Sequence, residues 1–112
     1  MKQNMQELES PYMAKFLKAE WKWKTLPDGT MEITDYKGDL KEVIIPPMIG
    51  KKPVTSIGEM AFRQKYDLLS VVIPDGVRHI QKDAFDSCIR LKKVVLPQEL
   101  ESIGWGAFAG CD

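Results

Sequence analysis

The chain has no net charge and no long apolar run. Its 16 basic and 16 acidic residues cancel over 112 residues, so no net field draws the protein towards nucleic acid or an anionic membrane. No apolar stretch approaches the roughly 18 residues that indicate a membrane span. We therefore expect a single domain with no nucleic-acid partner and no membrane-spanning segment.

Residues that carry out chemistry are equally scarce. His79 is the only histidine, and no second histidine or carboxylate accompanies it at a metal-ligand spacing. Cys88 and Cys111 lie one repeat apart, and we interpret them as buried thiols because side chains in stacked positions point in parallel. The chain has no Cys/His pair, Gly-rich phosphate loop or nucleophile elbow. We therefore predict no enzyme activity, no metal and no cofactor.

The first residues also lack the apolar stretch of roughly 7–15 residues that a signal peptide contains. Together with the initial Met1 and the two cysteines, which we expect to be unpaired, this absence favours a cytoplasmic protein. The alternative is a secreted or cell-surface protein from which a leader has been removed.

The second half of the chain contains a repeat of 23 residues. The dipeptide Ala-Phe returns at residues 61–62, 84–85 and 107–108. A segment of the form Leu-x-x-Val-x-Ile/Leu-Pro returns at residues 40–46, 68–74 and 91–97. A fixed period of this length indicates stacked units, none of which can bury its apolar face alone.

This repeat predicts parallel strands that stack in phase. Each Leu-x-x-Val segment ends in a proline, which has no N–H to donate to a β-ladder. We predict three strands in one sheet, near residues 41–45, 69–73 and 92–96. The aromatic rings of the Ala-Phe pairs should form one column, made of Phe62, Phe85 and Phe108.

Two further segments precede the repeats. Residues 1–20 are predicted to form a helical arm, because Ser10 and Pro11 suit a helix start and apolar residues then recur every three or four positions. Residues 21–39 are predicted to form a β-hairpin cap, because alternating segments flank the turn sequence Pro27-Asp28-Gly29. The predicted fold class is α+β. The repeats then occupy residues 40–112, divided into 40–67, 68–90 and an incomplete 91–112.

The repeats resemble a known family. The pattern Val-Thr-Ser-Ile-Gly-x-x-Ala-Phe at residues 54–62 and the pattern Cys-x-x-Leu-x-x-Val-x-Leu-Pro at residues 88–97 resemble the BspA-type leucine-rich repeat. The resemblance covers about residues 21–112 and implies a short right-handed solenoid; it also implies a secreted or cell-surface location. Lys65 and Gln81 depart from the pattern, since they replace its cysteine and its glycine.

The strand residues that face outwards are the candidate partner surface. Ile44, Val72 and Val95 should line up as an aliphatic row on one face of the sheet, and solenoids bind partners through that surface. The alternative is that these residues are present only because aliphatic side chains suit β-strands. We predict a non-catalytic protein-interaction module with a protein partner of unknown identity. The candidate surface comprises Ile44, Leu69, Val72, Lys92, Lys93 and Val95.

The C-terminal repeat offers a second candidate site, because Trp105 and Phe108 belong to an incomplete coil. Trp105 stands where the earlier repeats carry charged residues. Either two copies of the chain pair here, so that the protein is a homodimeric assembly unit, or Trp105 folds over Phe108 and caps the coil. A third hypothesis is a carbohydrate-binding surface, in which Trp21, Trp23 and Trp105 stack on sugars, although cap and core positions explain these residues better.

Overall fold

The computed structural model describes residues 20–111, which form short β-strands joined by turns. The strands make two sheets, one of three parallel strands and one of six strands, and buried apolar residues from both sheets meet in a single core. The strands are β1 (Trp21–Thr25), β2 (Met31–Tyr36), β3 (Glu42–Ile44), β4 (Met48–Ile49), β5 (Lys52–Ile57), β6 (Ser70–Val72), β7 (His79–Ile80), β8 (Lys93–Val95) and β9 (Ser102–Ile103).

Strand register follows the repeat. The three-stranded sheet has the order β3-β6-β8, and in it Val43 pairs with Val71 and Val71 with Val94. The second sheet has the order β1-β2-β5-β7-β9, with β4 beside β5. Its strands β5, β7 and β9 are parallel, and equivalent residues of successive repeats lie opposite each other. Because equivalent residues pair, each inward side chain lies beside the same position of the next coil. Strands β3, β6 and β8 lie within the three ranges that the sequence predicts.

The predicted α+β class, with its N-terminal helical arm, is wrong. Residues 20–111 contain no helix and form a β-solenoid, in which the chain passes through each Ala-Phe pair as a run of turns. Of the arm predicted over residues 1–20, Glu20 lies in a turn and the remainder lies outside the described residues.

Left-handed backbone conformations keep these turn runs from becoming helices. Two positions in each run, four residues apart, have φ values between 57° and 75°. L-residues in a right-handed helix do not adopt such values. Only the third repeat places glycine at both positions, where no side chain opposes the conformation. The residues are Met60 and Gln64, then Asp83 and Ser87, then Gly106 and Gly110.

A β-hairpin supplies the two strands at one edge of the mixed sheet. β1 and β2 pair antiparallel, and in the turn between them Asp28 accepts hydrogen bonds from the hydroxyl and the backbone N–H of Thr30, at 2.7 and 2.9 Å. These bonds lower the pKa of the Asp28 carboxyl, the hydroxyl bond having the larger effect. β2 then pairs in parallel with β5, where Ile33 lies opposite Ile57.

Aromatic rings stack along the core. The ring centroids of Phe62 and Phe85 lie 4.8 Å apart, and those of Phe85 and Phe108 lie 5.2 Å apart, with interplanar angles of 12° and 2°. The predicted phenylalanine column is therefore confirmed. Tyr36 continues the column 5.4 Å from Phe62, and the ring of Trp21 lies 4.5 Å from that of Tyr36.

The two cysteines do not form a disulfide. The buried Cys88 thiol donates to the carbonyl oxygen of Phe62 at 3.0 Å, and the half-buried Cys111 thiol donates to that of Phe85 at 3.2 Å. Both bonds reach back to the preceding coil, so they join neighbouring turn runs. Burial raises the pKa of the Cys88 thiol to about 11.

Phe85→Ala should lower the free energy of unfolding by about 3–5 kcal/mol. Phe85 is 0% exposed and lies between two other rings, so the truncation leaves a cavity that its neighbours cannot fill. Urea unfolding followed by circular dichroism measures the loss. Tyr66→Ala is the control, because Tyr66 is 50% exposed, and its effect should stay within about 0.5 kcal/mol. Equal losses in the two variants would contradict a core role for the column.

At about pH 8, a thiol reagent should modify Cys111 well before Cys88, because only the thiolate reacts. A pKa of about 11 keeps the buried Cys88 thiol protonated in the folded protein. In a timed DTNB titration, Cys111→Ala should remove the fast phase and Cys88→Ala should retain it. The raised pKa also makes the free energy of unfolding depend on pH. Its stabilising contribution is fully present below pH 9.0, the ordinary pKa of a cysteine thiol, and is lost as the pH rises through about 11. Equal reaction rates for the two thiols in the folded protein would refute the prediction.

Candidate functional site

The predicted partner surface lies on the outward face of β3, β6 and β8. The central valines Val43 and Val71 face the core and are 2% and 0% exposed. The residues that follow them point the other way, because consecutive residues of a strand alternate between faces. Strand register aligns Ile44, Val72 and Val95, and we call these three residues the aliphatic row.

The aliphatic row is accessible to solvent. Ile44 and Val95 are 62% and 41% exposed, and Val72, on the middle strand, is half-buried. Neighbouring strands lie about 4.8 Å apart, so the three side chains form one apolar strip across the sheet. The strip adds little to the core of its own chain and is available for contact with a second molecule.

Charge changes sign along this face. Beside the aliphatic row, Glu42, Ser70 and Lys93 are in register, so an acidic residue stands on β3 and a basic residue on β8. Lys92 and Lys93 are exposed, and neither forms an ion pair within the described part of the chain. Leu69 is half-buried in the segment that leads into β6. Of the six predicted surface residues, Ile44, Val72, Lys93 and Val95 lie in the three strands, and Leu69 and Lys92 directly precede β6 and β8.

Trp105 and Phe108 lie in the last turn run. Trp105 is 80% exposed, and the ammonium of Lys82 lies 5.9 Å from its ring centroid, a distance that permits a cation–π interaction. Phe108 is half-buried and stacks on Phe85. The Trp105 indole therefore lies largely in solvent, and the ring of Phe108 is the most C-terminal member of the aromatic column within residues 20–111.

The mixed sheet carries a ladder of polar side chains that was not predicted. The buried Glu32 accepts a hydrogen bond from the Ser56 hydroxyl at 2.8 Å, and the Gln81 amide donates to the same hydroxyl at 3.1 Å. His79 Nδ1 lies 2.8 Å from the Ser102 hydroxyl. Ser56, His79 and Ser102 are in register, and their 23-residue spacing is the pattern that could have predicted this ladder.

Ser102, His79 and Glu101 are the residue types of a hydrolytic triad, but their geometry does not support catalysis. Glu101 Oε1 lies 3.8 Å from His79 Nε2, while its other carboxylate oxygen accepts a hydrogen bond from Arg78 at 2.7 Å. The side chains of His79 and Glu101 are 43% and 51% exposed, whereas catalytic electrostatics depend on exclusion of water. We therefore assign these residues to the surface of the sheet.

The described residues offer no metal site. Between residues 20 and 111, no three His, Cys, Asp or Glu side chains gather closely enough to hold an ion. A search of the same residues finds no helix with the length and apolar character that crossing a membrane requires.

Comparison with known proteins finds a matching family pattern and several similar structures. The pattern described as "BspA type Leucine rich repeat region (6 copies)" matches residues 55–112. A leucine-rich repeat protein of T. pallidum is 32% identical with a TM-score of 0.80, over 83% of this chain and 44% of that chain. A leucine-rich repeat protein from Bacteroides capillosus is 31% identical with a TM-score of 0.74, over 80% of this chain and 70% of that chain.

A third similar structure is a leucine rich cell surface protein from Faecalibacterium prausnitzii. It is 33% identical with a TM-score of 0.70, over 83% of this chain and 27% of that chain. The chain therefore spans less than half the length of this protein and of the T. pallidum protein. None of the curated proteins compared with the chain matches it.

Proposed function

The chain belongs to the BspA-type leucine-rich repeat family, and on that premise we propose that it is a protein-interaction module that binds through the outward face of β3, β6 and β8. Leucine-rich repeat proteins are in general non-enzymatic and serve in protein binding. The contacts would come from the aliphatic row, with Leu69, Lys92 and Lys93 beside it.

The exposure of the aliphatic row is the observation that carries this proposal. Ile44 is 62% exposed, so its side chain contributes little to folding. A threonine would suit an exposed strand position equally well, yet all three positions hold purely aliphatic side chains. An apolar centre with charged residues at its border is also the usual composition of a protein interface. Lys92 and Lys93 supply that border and favour a partner with acidic groups.

A carbohydrate-binding surface has less support. Trp21 is 9% exposed and packs on Tyr36 and Phe62, so it belongs to the core. Trp23 lies on β1, at one edge of the mixed sheet, whereas Trp105 follows β9 at the opposite edge. The three indoles do not share a surface on which a sugar could stack.

Replacing the aliphatic row with threonine (Ile44→Thr, Val72→Thr and Val95→Thr together) should abolish partner capture and leave the melting temperature nearly unchanged. Threonine keeps the β-branched shape but weakens apolar contact with a partner. The measurement is a quantitative pull-down from an extract of the source organism with immobilised wild-type and variant protein, followed by binding of the purified partner.

A second triple variant is the control for this experiment. Met48→Thr, Tyr66→Thr and Ile89→Thr remove residues that are 40%, 50% and 52% exposed but lie outside the three-stranded sheet. This variant should capture the same partner as the wild type. The proposal fails if the two triple variants capture the partner equally well, or if the aliphatic-row variant loses much of its stability.

A further inference from the structure

A cavity lies where the β-hairpin cap meets the first turn run, and we call it the cap cavity. Its volume is about 200 Å³. Pockets for drug-sized ligands measure about 300–1,000 Å³, so the cap cavity has room for a molecule the size of one sugar ring but not for a nucleotide cofactor. The residues that line it include Asp39, Leu40, Gln64, Lys65, Tyr66 and Asp67.

The cap cavity exists because the cap leads into the first coil without a turn run of its own. On one side of the first run, the Gln64 N–H donates to the carbonyl oxygen of Asp86 in the next run at 2.8 Å. On the other side, only the short link 37–41 joins β2 to β3. Leu40, in that link, donates its N–H to the Tyr36 hydroxyl at 3.3 Å. A space therefore remains between link and run, and a coil that followed residue 111 would not reach it.

Lys65 places a cation in the wall of the cap cavity. In the later repeats this position holds Cys88 and Cys111, whose thiols donate to a carbonyl oxygen of the preceding coil. The Lys65 ammonium donates to the Gly38 carbonyl oxygen at 3.4 Å and lies 5.2 Å from the ring centroid of Tyr36. It forms no ion pair within residues 20–111. An ammonium has three N–H donors, so Lys65 can still donate to a ligand.

The lining carries hydrogen-bond donors and acceptors together. Asp39 and Asp67 provide acceptors, and Gln64 and Lys65 provide donors. Asp67 also pairs with Arg90 at 3.4 Å, which balances its charge. An anion would be repelled by Asp39, and a cation by Lys65. A neutral molecule with several hydroxyl groups can use both kinds of partner, because each hydroxyl donates and accepts.

An exposed aromatic ring stands beside these polar groups. Tyr66 and Leu40 are each 50% exposed and line the same cavity. The face of an aromatic ring carries partial negative charge, so it attracts the C–H groups on the flat side of a sugar. Ile89, at the position of Tyr66 one repeat later, has no ring. The combination of ring, donors and acceptors therefore belongs to the first coil.

We propose that the cap cavity binds one neutral sugar residue, with its ring on Tyr66 and its hydroxyl groups bonded to Asp39 and Lys65. The ligand is a free monosaccharide or the terminal unit of a glycan, which present the same ring. The site is independent of the aliphatic row, and none of the three tryptophans lines it.

An NMR titration of the full 112-residue chain, labelled with ¹⁵N, tests this site. The probes are the methyl glycosides of glucose, galactose, mannose and N-acetylglucosamine. At least one of them should cause saturable shifts in the amide signals of residues 38–40 and 64–68. Equal affinity for an oligosaccharide that ends in the same sugar would identify the single unit as the ligand, and tighter binding of the oligosaccharide would identify a glycan end. Both results support the site.

Two variants should weaken binding of that glycoside at least about tenfold. Tyr66→Ala removes the ring, and Asp39→Asn keeps the size of the side chain but removes its charge and one acceptor. Ile89→Ala is the matched control, because Ile89 is 52% exposed and does not line the cap cavity, and this variant should bind like the wild type. Lys65→Cys introduces the residue of the later repeats and should also weaken binding. Thermal melts verify the folding of each variant.

Three results would overturn the proposal. The first is the absence of saturable shifts with every neutral glycoside. The second is an Ile89→Ala variant that loses as much affinity as Tyr66→Ala. The third is binding of glucuronate or methylamine in the cap cavity without binding of any neutral glycoside, which would show that the site selects a charged ligand.

Discussion

Stacking of equivalent residues in successive coils is the interaction on which the rest of this structure depends. A single repeat buries too few side chains to offset the conformational entropy that its chain loses. In the stack, Phe85 has an aromatic neighbour on each side and is fully buried, while Phe108 has one and is half-buried. The same register that brings the inward side chains together also aligns the outward ones. The aliphatic row is therefore a geometric consequence of the core.

The turn runs show how strongly neighbouring coils constrain one another. Four residues that are not glycine have left-handed φ values of 57–63°, a conformation that costs roughly 1–2 kcal/mol per residue. Hydrogen bonds between runs offset this strain: Phe62 N–H donates to Ala84 O, and Phe85 N–H donates to Ala107 O, each at 2.7 Å. Isolated from its neighbours, one such run would lack these bonds, and its conformation would no longer be favoured.

The outward face of the three-stranded sheet limits what kind of contact a partner can make there. On the outward sheet face the backbone of β6 is paired on both sides, so a partner meets side chains alone and is selected by shape, apolar character and charge.

The 23-residue repeat alone determined the positions of the parallel strands, the phenylalanine column and the alignment of the outward residues, because each follows from local periodicity. The predicted α+β class was wrong: its helix was placed at residues 1–20, and residues 20–111 form strands and turns. The left-handed backbone of the turn runs was not predicted either, because the side chains of Met60 and Asp83 do not indicate it. Only the tertiary structure decided how far each repeated position is buried. Ile80 and Ile103 have the same side chain at the same position, yet one is fully buried and the other is 49% exposed. Within residues 20–111, β7 has a neighbouring strand on both sides and β9 has one on one side only. Burial therefore depends on what packs against a residue rather than on the residue itself.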